Sequence, residues 1–574
     1  MIWILIIGFP LLLTVFSRAA AGTAIARGTL LGAAALPALL AALGVLPAGD
    51  GRVAWLLLGA EFGLDASRGI LLLLAALLWG LAGVFAGNYL TGDRHPARFI
   101  FFFLVAMSGA FGLIAAEDAA SFYTFFVIMT FASYPLVIHS GSTEARRAGR
   151  VYLVMAILGE LFLIYALYSA VQAAGSLYLA DLGPAVAAAD NGAFLFLLAL
   201  IGFGVKAGAV PLYFWLPLAH PVAPTPASAV LSGVMIKAGL LGWIHFSPAG
   251  AGFLPGWTEA LVVMGLLAAF GAAAIGFCQT GPKTALAYSS ISQMGLMTVL
   301  FGLGLSAGWE RETLAAVLAF YALNHGLAKG ALFLGTGVAV ATSGARLAVL
   351  AGLGLGAAVI AGAPLTGGAL AKYALKDAAA DASGWTAAAM PWLLPVSALA
   401  TSLLLGRFLW LCWKANPDPS HGGGWGLAIP WIVSLAAALV VPYWANGYFD
   451  AGVAAPELSA AFLLEALLPL LLAAGMLATG YRLGPGKERW PALPPGDLIV
   501  PVERLIQRGM AAVHRTGLPH PGRGALDLVA FSDRILALED ARELVDRTES
   551  RLGRWRVVGT LFVLIVLGIV LLTV

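Results

Sequence analysis

The chain has 574 residues, of which 61% are hydrophobic and only 11% charged, with a formal net charge of +3. A water-soluble domain carries roughly 25% charged residues, so most of this surface cannot face water. The small net charge gives no ground for a nucleic-acid partner, and Cys278 and Cys412 lie in apolar runs without metal-ligand spacing.

Apolar runs of bilayer-crossing length recur along the chain. Their centres fall near Ile7, Leu39, Leu77, Ala106, Met129, Glu160, Ala199, Met235, Leu267, Leu296, Leu327, Ile360, Leu399, Leu435, Leu468 and Val566. The reading is an all-α polytopic membrane protein of about 16 spans. The first run, Ile2 to Phe16, lacks the basic flank and cleavage site of a signal peptide and is read as a span. The 70 glycines suit helices that pack closely in lipid.

Loop charges test this count. On one side lie Arg18 and Arg27, then Arg94 and Arg98, then Arg146, Arg147 and Arg150, then Lys283, Arg346 and Lys414. The other side carries Glu117, Asp118, Asp181, Asp190, Glu310, Glu312, Asp450 and Glu457, with Arg52, Arg68 and Arg311 as exceptions. The positive-inside rule puts the basic loops in the cytoplasm and both termini outside a cell inner (plasma) membrane. The charged stretch Arg482 to Trp555 is too polar to span. Its apolar residues recur at helical spacing, as in a helix lying along the interface, either a lateral strut on the cytoplasmic face or a surface linker. The expected organisation is N-terminal spans over 1–97, two repeats over 98–246 and 259–415, and further spans over 425–480. The lateral segment over 481–554 and a final span over 555–574 complete it.

A charged side chain at mid-bilayer costs at least about 2.5–3.5 kcal/mol, so each one inside a span points to a pathway. Glu160, Lys206, Lys237, Lys329 and Lys372 are such residues, with His325 four residues before Lys329 on the same helix face. Burial disfavours an ammonium, so lysine, unlike arginine, can release and regain a proton in a dry interior. Water-linked lysines and a histidine therefore make a stepwise proton path. Arg407 fits a fixed charge, and Arg407 and Glu465 each fit a member of a structural ion pair as well as a functional residue. Lys376, near a helix end, fits snorkelling equally well. His220, in a proline-rich bend, fits a capping role as well as a proton role, while His139 and His245 sit at span ends. Lys206 is followed by PLYFWLPLAHPVAPTPAS and Lys372 is preceded by GAPLTGG. Proline in a span removes a backbone donor, and interrupted helices in two halves are the pointer to an inverted-repeat transporter.

The stretch GFGVKAGAVPLYFWLPLAHPVAPTPASAVLSGVMIKAG resembles the signature of the antiporter-like subunits shared by respiratory complex I, Mrp cation/proton antiporters and membrane-bound hydrogenases. ALAYSSISQMG, NHGLAKGALFLGTG and GAPLTGGALAKYALK resemble further blocks in the same order, over roughly Phe99 to Lys414. The resemblance implies two inverted five-helix repeats with broken helices, and proton translocation through Lys206, Lys237, Lys329 and Lys372. It also implies a lateral helix before the last span, as in the longest complex I member. One departure matters. The family places a glutamate on the fifth helix, where this chain has Val127 in FFVIMTFASYPL. Glu160, on the next helix, is positioned to reach toward Lys206 instead; otherwise the first half-channel is altered or silent.

The leading expectation is thus a proton-translocating subunit of a multi-subunit complex. Its partners would be other membrane subunits, with protons and optionally Na+ as cargo. No flavin, iron–sulfur, nucleotide or metal motif is present, so no cofactor is expected, and electrons for any quinone-reducing reaction would come from partner subunits. Two other readings stand beside it. One is a proton-driven energising subunit for a zinc-bearing enzyme of inorganic-carbon accumulation. The other is a structural subunit that has lost transport.

Overall fold

The computed structural model describes residues 2–57, 59–247, 256–341, 345–415, 424–483 and 493–496. The chain divides into two units, Met1–Arg52 with Ala60–Pro495, and Val53–Gly59 with Gly496–Val574. Most of the second unit, including the expected final span 555–574, lies outside the described residues, as does nearly all of the expected lateral segment.

The first unit is helical. In chain order its helices are α1 (Ile2–Ala20), α2 (Ala24–Ala42), α3 (Ala66–Tyr89), α4 (Pro96–Ala115), α5 (Ala119–Val137) and α6 (Thr143–Ala174). The short α7 (Leu179–Ala188), α8 (Gly192–Ala207) and α9 (Trp215–Val222) follow. Then come α10 (Thr225–Phe246), α11 (Trp257–Phe277), α12 (Pro282–Ser306) and α13 (Arg311–Ala341). The chain continues through α14 (Arg346–Ala361), α15 (Gly367–Asp381), α16 (Trp385–Lys414), α17 (Trp425–Tyr448) and α18 (Ala460–Leu483). Thirteen helices among the described residues are long and apolar enough to cross a membrane. The remaining expected spans are the two broken ones, α8–α9 and α14–α15, and the one outside the described residues.

Several starts follow from local side-chain caps. Thr23, Asp65, Asp118 and Ser142 each accept a backbone N–H three residues on, at 2.8–3.1 Å, satisfying a donor that the helix leaves free. The layering is less readable locally. The apolar windows of α10, α12 and α13 are buried by protein throughout, whereas that of α18 is only 11% buried. The centre of the fold is therefore α10, α12 and α13.

Two helix breaks use one device. α8 ends on Gly208 (φ +69°) and α14 on Gly362 (φ +82°), each returning its N–H to the last turn. This left-handed stop is open to glycine without strain. Pro211 and Pro364 then prevent the helix from resuming in line. A third irregularity lies inside α10, where Leu231–Met235 form a π-helical turn directly before Lys237. At that turn Gly233 meets Gly326 of α13. A Cβ on Gly326 would come within 2.5 Å of the Gly233 carbonyl oxygen, so only glycine allows this approach.

Candidate functional site

The approach of α10 to α13 brings two sequence-predicted residues together. Lys237 Nζ lies 2.8 Å from His325 Nδ1 and donates to the Ser232 carbonyl at 2.7 Å. That carbonyl belongs to the π-turn, where the regular hydrogen-bond register is broken. One turn along α13, Lys329 Nζ donates to the Leu286 carbonyl at 2.8 Å. The Ser290 hydroxyl donates to the same carbonyl at 3.1 Å and lies 2.7 Å from the Ser232 hydroxyl. Lys237, Ser232, Ser290 and Lys329 are thus linked on α12's side, while His325 stands between the two lysines on α13. Lys237, His325 and Lys329 are 0–3% exposed. No carboxylate is hydrogen-bonded to any of them among the described residues.

This arrangement has a definite chemistry. With Lys237 donating to Nδ1, the imidazole hydrogen resides on Nε2. That Nε2 is buried and has no hydrogen-bond partner, so a proton leaving it needs an acceptor to move into place. Lys329, on the same face of α13, is the next base along.

The first-half site is built differently. Lys206, two residues before the Gly208 stop, donates to the Tyr152 hydroxyl at 3.1 Å. Tyr152 OH donates to the Thr130 carbonyl at 2.9 Å and lies 2.5 Å from the Ser133 hydroxyl. The ammonium also sits 5.5 Å from the Tyr152 ring centroid and 6.0 Å from that of Phe126. Glu160 lines the same small cavity, of about 10 Å³, together with Phe126, Thr130, Tyr152 and Lys206. That space is on the scale of one water. Glu160 and Lys206 act on each other electrostatically but form no ion pair. Glu160 is 8% exposed and interacts with the Tyr123 hydroxyl, in a contact looser than a well-formed hydrogen bond. Val127 is not among this cavity's lining residues. The two sites are adjacent, because Gly239 of α10 packs directly against Phe203 and Ala207 of α8.

On the other side of the cluster, Asn324 sets its side-chain oxygen against Gly367 at the start of α15. Lys372 on that helix folds back over the Gly362 stop and donates to the Ala361 carbonyl, capping the broken end of α14. Trp215 does the same at the first break, donating Nε1 to the Val205 carbonyl at 2.7 Å. His220 is fully buried in α9, stacked on Phe333 at 4.7 Å with both ring nitrogens unpartnered.

The remaining candidates lie apart. Lys376 and Glu465 pair with each other at 2.9 Å, each side chain about half exposed. Arg407 donates to the Gln279 carbonyl at 3.3 Å, at the end of α11. His139 bonds Asp93 at 3.0 Å in a cluster between α3 and α4. Three participants were not singled out by sequence reasoning. Tyr152 lies on one face of α6 with Ala156, Gly159 and Glu160, a spacing of 4, 7 and 8 residues visible in the sequence. Ser290 lies within the SSISQ block. Lys283, read only as a loop charge, donates to the Ala223 carbonyl at 2.9 Å, at the end of α9.

Fold and site define a class, polytopic α-helical membrane proteins with buried bases at helix breaks. Residues 116–394 match the family described as NADH:quinone oxidoreductase/Mrp antiporter, transmembrane region. NADH-quinone oxidoreductase subunit N of Desulforudis audaxviator is 30% identical over 385 residues, covering 63% of this chain and 74% of that protein. This chain belongs to that family of antiporter-like membrane subunits. Hydrogenase-4 component B of Escherichia coli K12 is 30% identical over 292 residues, covering 48% of this chain and 43% of that protein. The Mrp complex from a Dietzia species contains a chain with the same fold, at a TM-score of 0.72 and 21% identity, over 95% of this chain and 63% of that one. The chain spans about half the length of several curated relatives it matches.

Proposed function

We propose that this chain is the proton-translocating membrane subunit of a multi-subunit complex. The path runs from Lys206 through Lys237, His325 and Lys329 to Lys372. The observation that carries this reading is the Lys237–His325 contact at 2.8 Å inside a wholly buried three-helix centre. A lysine–histidine contact without a carboxylate is poor structural glue, because two bases compete for one proton. It is useful where that proton must move. The two breaks made by one device support a reading as two inverted repeats, over 98–246 and 259–415.

In this reading Glu160 takes the role of the acid absent at Val127. It is a buried carboxylate that interacts with Tyr123 and lines the cavity of the one lysine that lacks its family partner. The proton axis is poor in carboxylates, which favours protons over sodium, since hard cations want oxygen ligands. The basic loops face the cytoplasm, and partner subunits supply any electron transfer. The relatives' names span a hydrogenase, a quinone oxidoreductase and an antiporter, and every one of these machines fits a proton-moving membrane subunit.

The test is proton flux in membrane vesicles carrying the intact complex, with wild type compared to Lys237→Ala and Lys329→Ala. The reading expects both variants to assemble and to lose flux to the level of vesicles lacking the complex. Wild-type flux in assembled Lys237→Ala complexes would refute it.

A further inference from the structure

At the end of the fold that carries the basic loops, α11, α14, α16 and α18 enclose a groove of about 460 Å³. Phe277, Leu350, Trp410, Trp413 and Leu477 give it apolar walls, and among the described residues its one charged lining residue is Arg407. Gly406 is its floor, where the absence of a Cβ lets Leu477 of α18 pack directly against α16.

Arg407 is not at mid-span. Its Nη2 reaches the Gln279 carbonyl just past the end of α11, so it stands at the level of a helix end, near the interface. Its Nε is buried and makes no hydrogen bond. Two more cations flank the tryptophans of the groove. The Arg346 guanidinium lies 5.2 Å from the Trp413 ring centroid, and Lys414 Nζ lies 5.1 Å from that of Trp410. No carboxylate lines the groove among the described residues. One lining cation, two more cations stacked on the lining tryptophans and an apolar wall therefore lie together.

The geometry points to a bound anionic phospholipid, its phosphate held by Arg407, Arg346 and Lys414 and an acyl chain lying along Leu350 and Leu477. Each part of the ligand has a counterpart. Tryptophan side chains settle at headgroup level, and basic pockets between spans on this side take anionic headgroups. A zwitterionic lipid would bring its own cation against three others, which is a repulsion the site is built to impose. Free phosphate would leave the apolar wall unfilled. The groove is separate from the buried lysines, so this site does not depend on the proton reading.

The experiment uses the intact complex in nanodiscs of phosphatidylglycerol or phosphatidylcholine, with retained lipid counted by native mass spectrometry after delipidation. Wild type is expected to retain phosphatidylglycerol and to release phosphatidylcholine. Each charge removed in Arg407→Gln, Arg346→Gln and Lys414→Gln is expected to weaken retention about fivefold. Arg407→Lys, which keeps the charge, should retain most of it, and Lys376→Gln, at an exposed pair elsewhere, should change nothing. Equal retention of the two lipids would overturn the proposal. So would retention unchanged in the triple glutamine variant, or a partner subunit cross-linked to a cysteine placed at Trp413.

Discussion

Lys206 and Lys237 sit on neighbouring helices, and each follows or precedes a helix irregularity, yet they are held in opposite ways. Lys237 lies in a wholly buried centre, bonded to a backbone carbonyl and a histidine, with no acid near enough to bond it. Lys206 faces a small cavity, bonded to a phenol, with a carboxylate in the same cavity that is not bonded to it. The difference teaches that a lysine can be kept in a membrane interior by two strategies. One offers the ammonium lone-pair partners from irregular backbone and imidazole. The other offers a phenol hydroxyl and a counter-charge that lines the same water-sized cavity.

The largest way to break the comparison is at the close approach of α10 and α13. Gly326→Ala puts a methyl within 2.5 Å of the Gly233 carbonyl and 2.6 Å of Leu74, so the helices must separate. Overpacking of this kind costs about 1–3 kcal/mol, and it also draws Lys237 away from His325. Thermal unfolding and proton flux should both fall. Gly271→Ala, where nothing lies within 4 Å of the new Cβ, should leave both unchanged.

A smaller effect sharpens the other side of the comparison. Glu160→Gln removes the charge but not the shape, and it keeps an oxygen that can still face the Tyr123 hydroxyl. The complex should therefore assemble normally with wild-type thermal stability while flux drops. If flux persists and only stability changes, Glu160 is a packing residue and the first half-site has no acid.

The smallest effect is a control outside the spans. Burial pushes the Asp93 carboxyl up, but its hydrogen bond from His139 and the nearby histidines outweigh that and hold it below the usual carboxylate range. The resulting stabilisation is present above the ordinary aspartate value near 3.9 and fades as pH falls through the lowered folded value. Asp93→Asn should therefore cost about 1 kcal/mol or less at neutral pH, and nothing under strongly acidic conditions, without altering flux at matched assembly. Unfolding midpoints measured across pH would check this.

The lysines were legible because lipid makes a buried charge expensive, so Lys206, Lys237, Lys329 and Lys372 stand out against an apolar background. The two breaks were legible because glycine and proline write them. The π-turn over Leu231–Met235 was not, since an extra residue in the hydrogen-bond register needs no special side chain. The order of burial was hidden too. Hydropathy runs opposite to burial here, with buried α12 at a mean hydropathy of 1.3 and exposed α18 at 2.1, because lipid demands apolar side chains while a protein interior accepts small polar ones. The Lys376–Glu465 pair joins residues 89 positions apart, and Lys283 reaches α9 across 60, and no local pattern encodes either.

In the proposed path both kinds of site lie in series. Proton flux through intact complexes carrying Lys206→Ala, with Lys237, His325 and Lys329 untouched, tests it most directly. A series path predicts flux at the level of vesicles without the complex, although the central cluster is complete. Wild-type flux in assembled Lys206→Ala complexes would show that the central cluster draws its protons from elsewhere, and would contradict the claim.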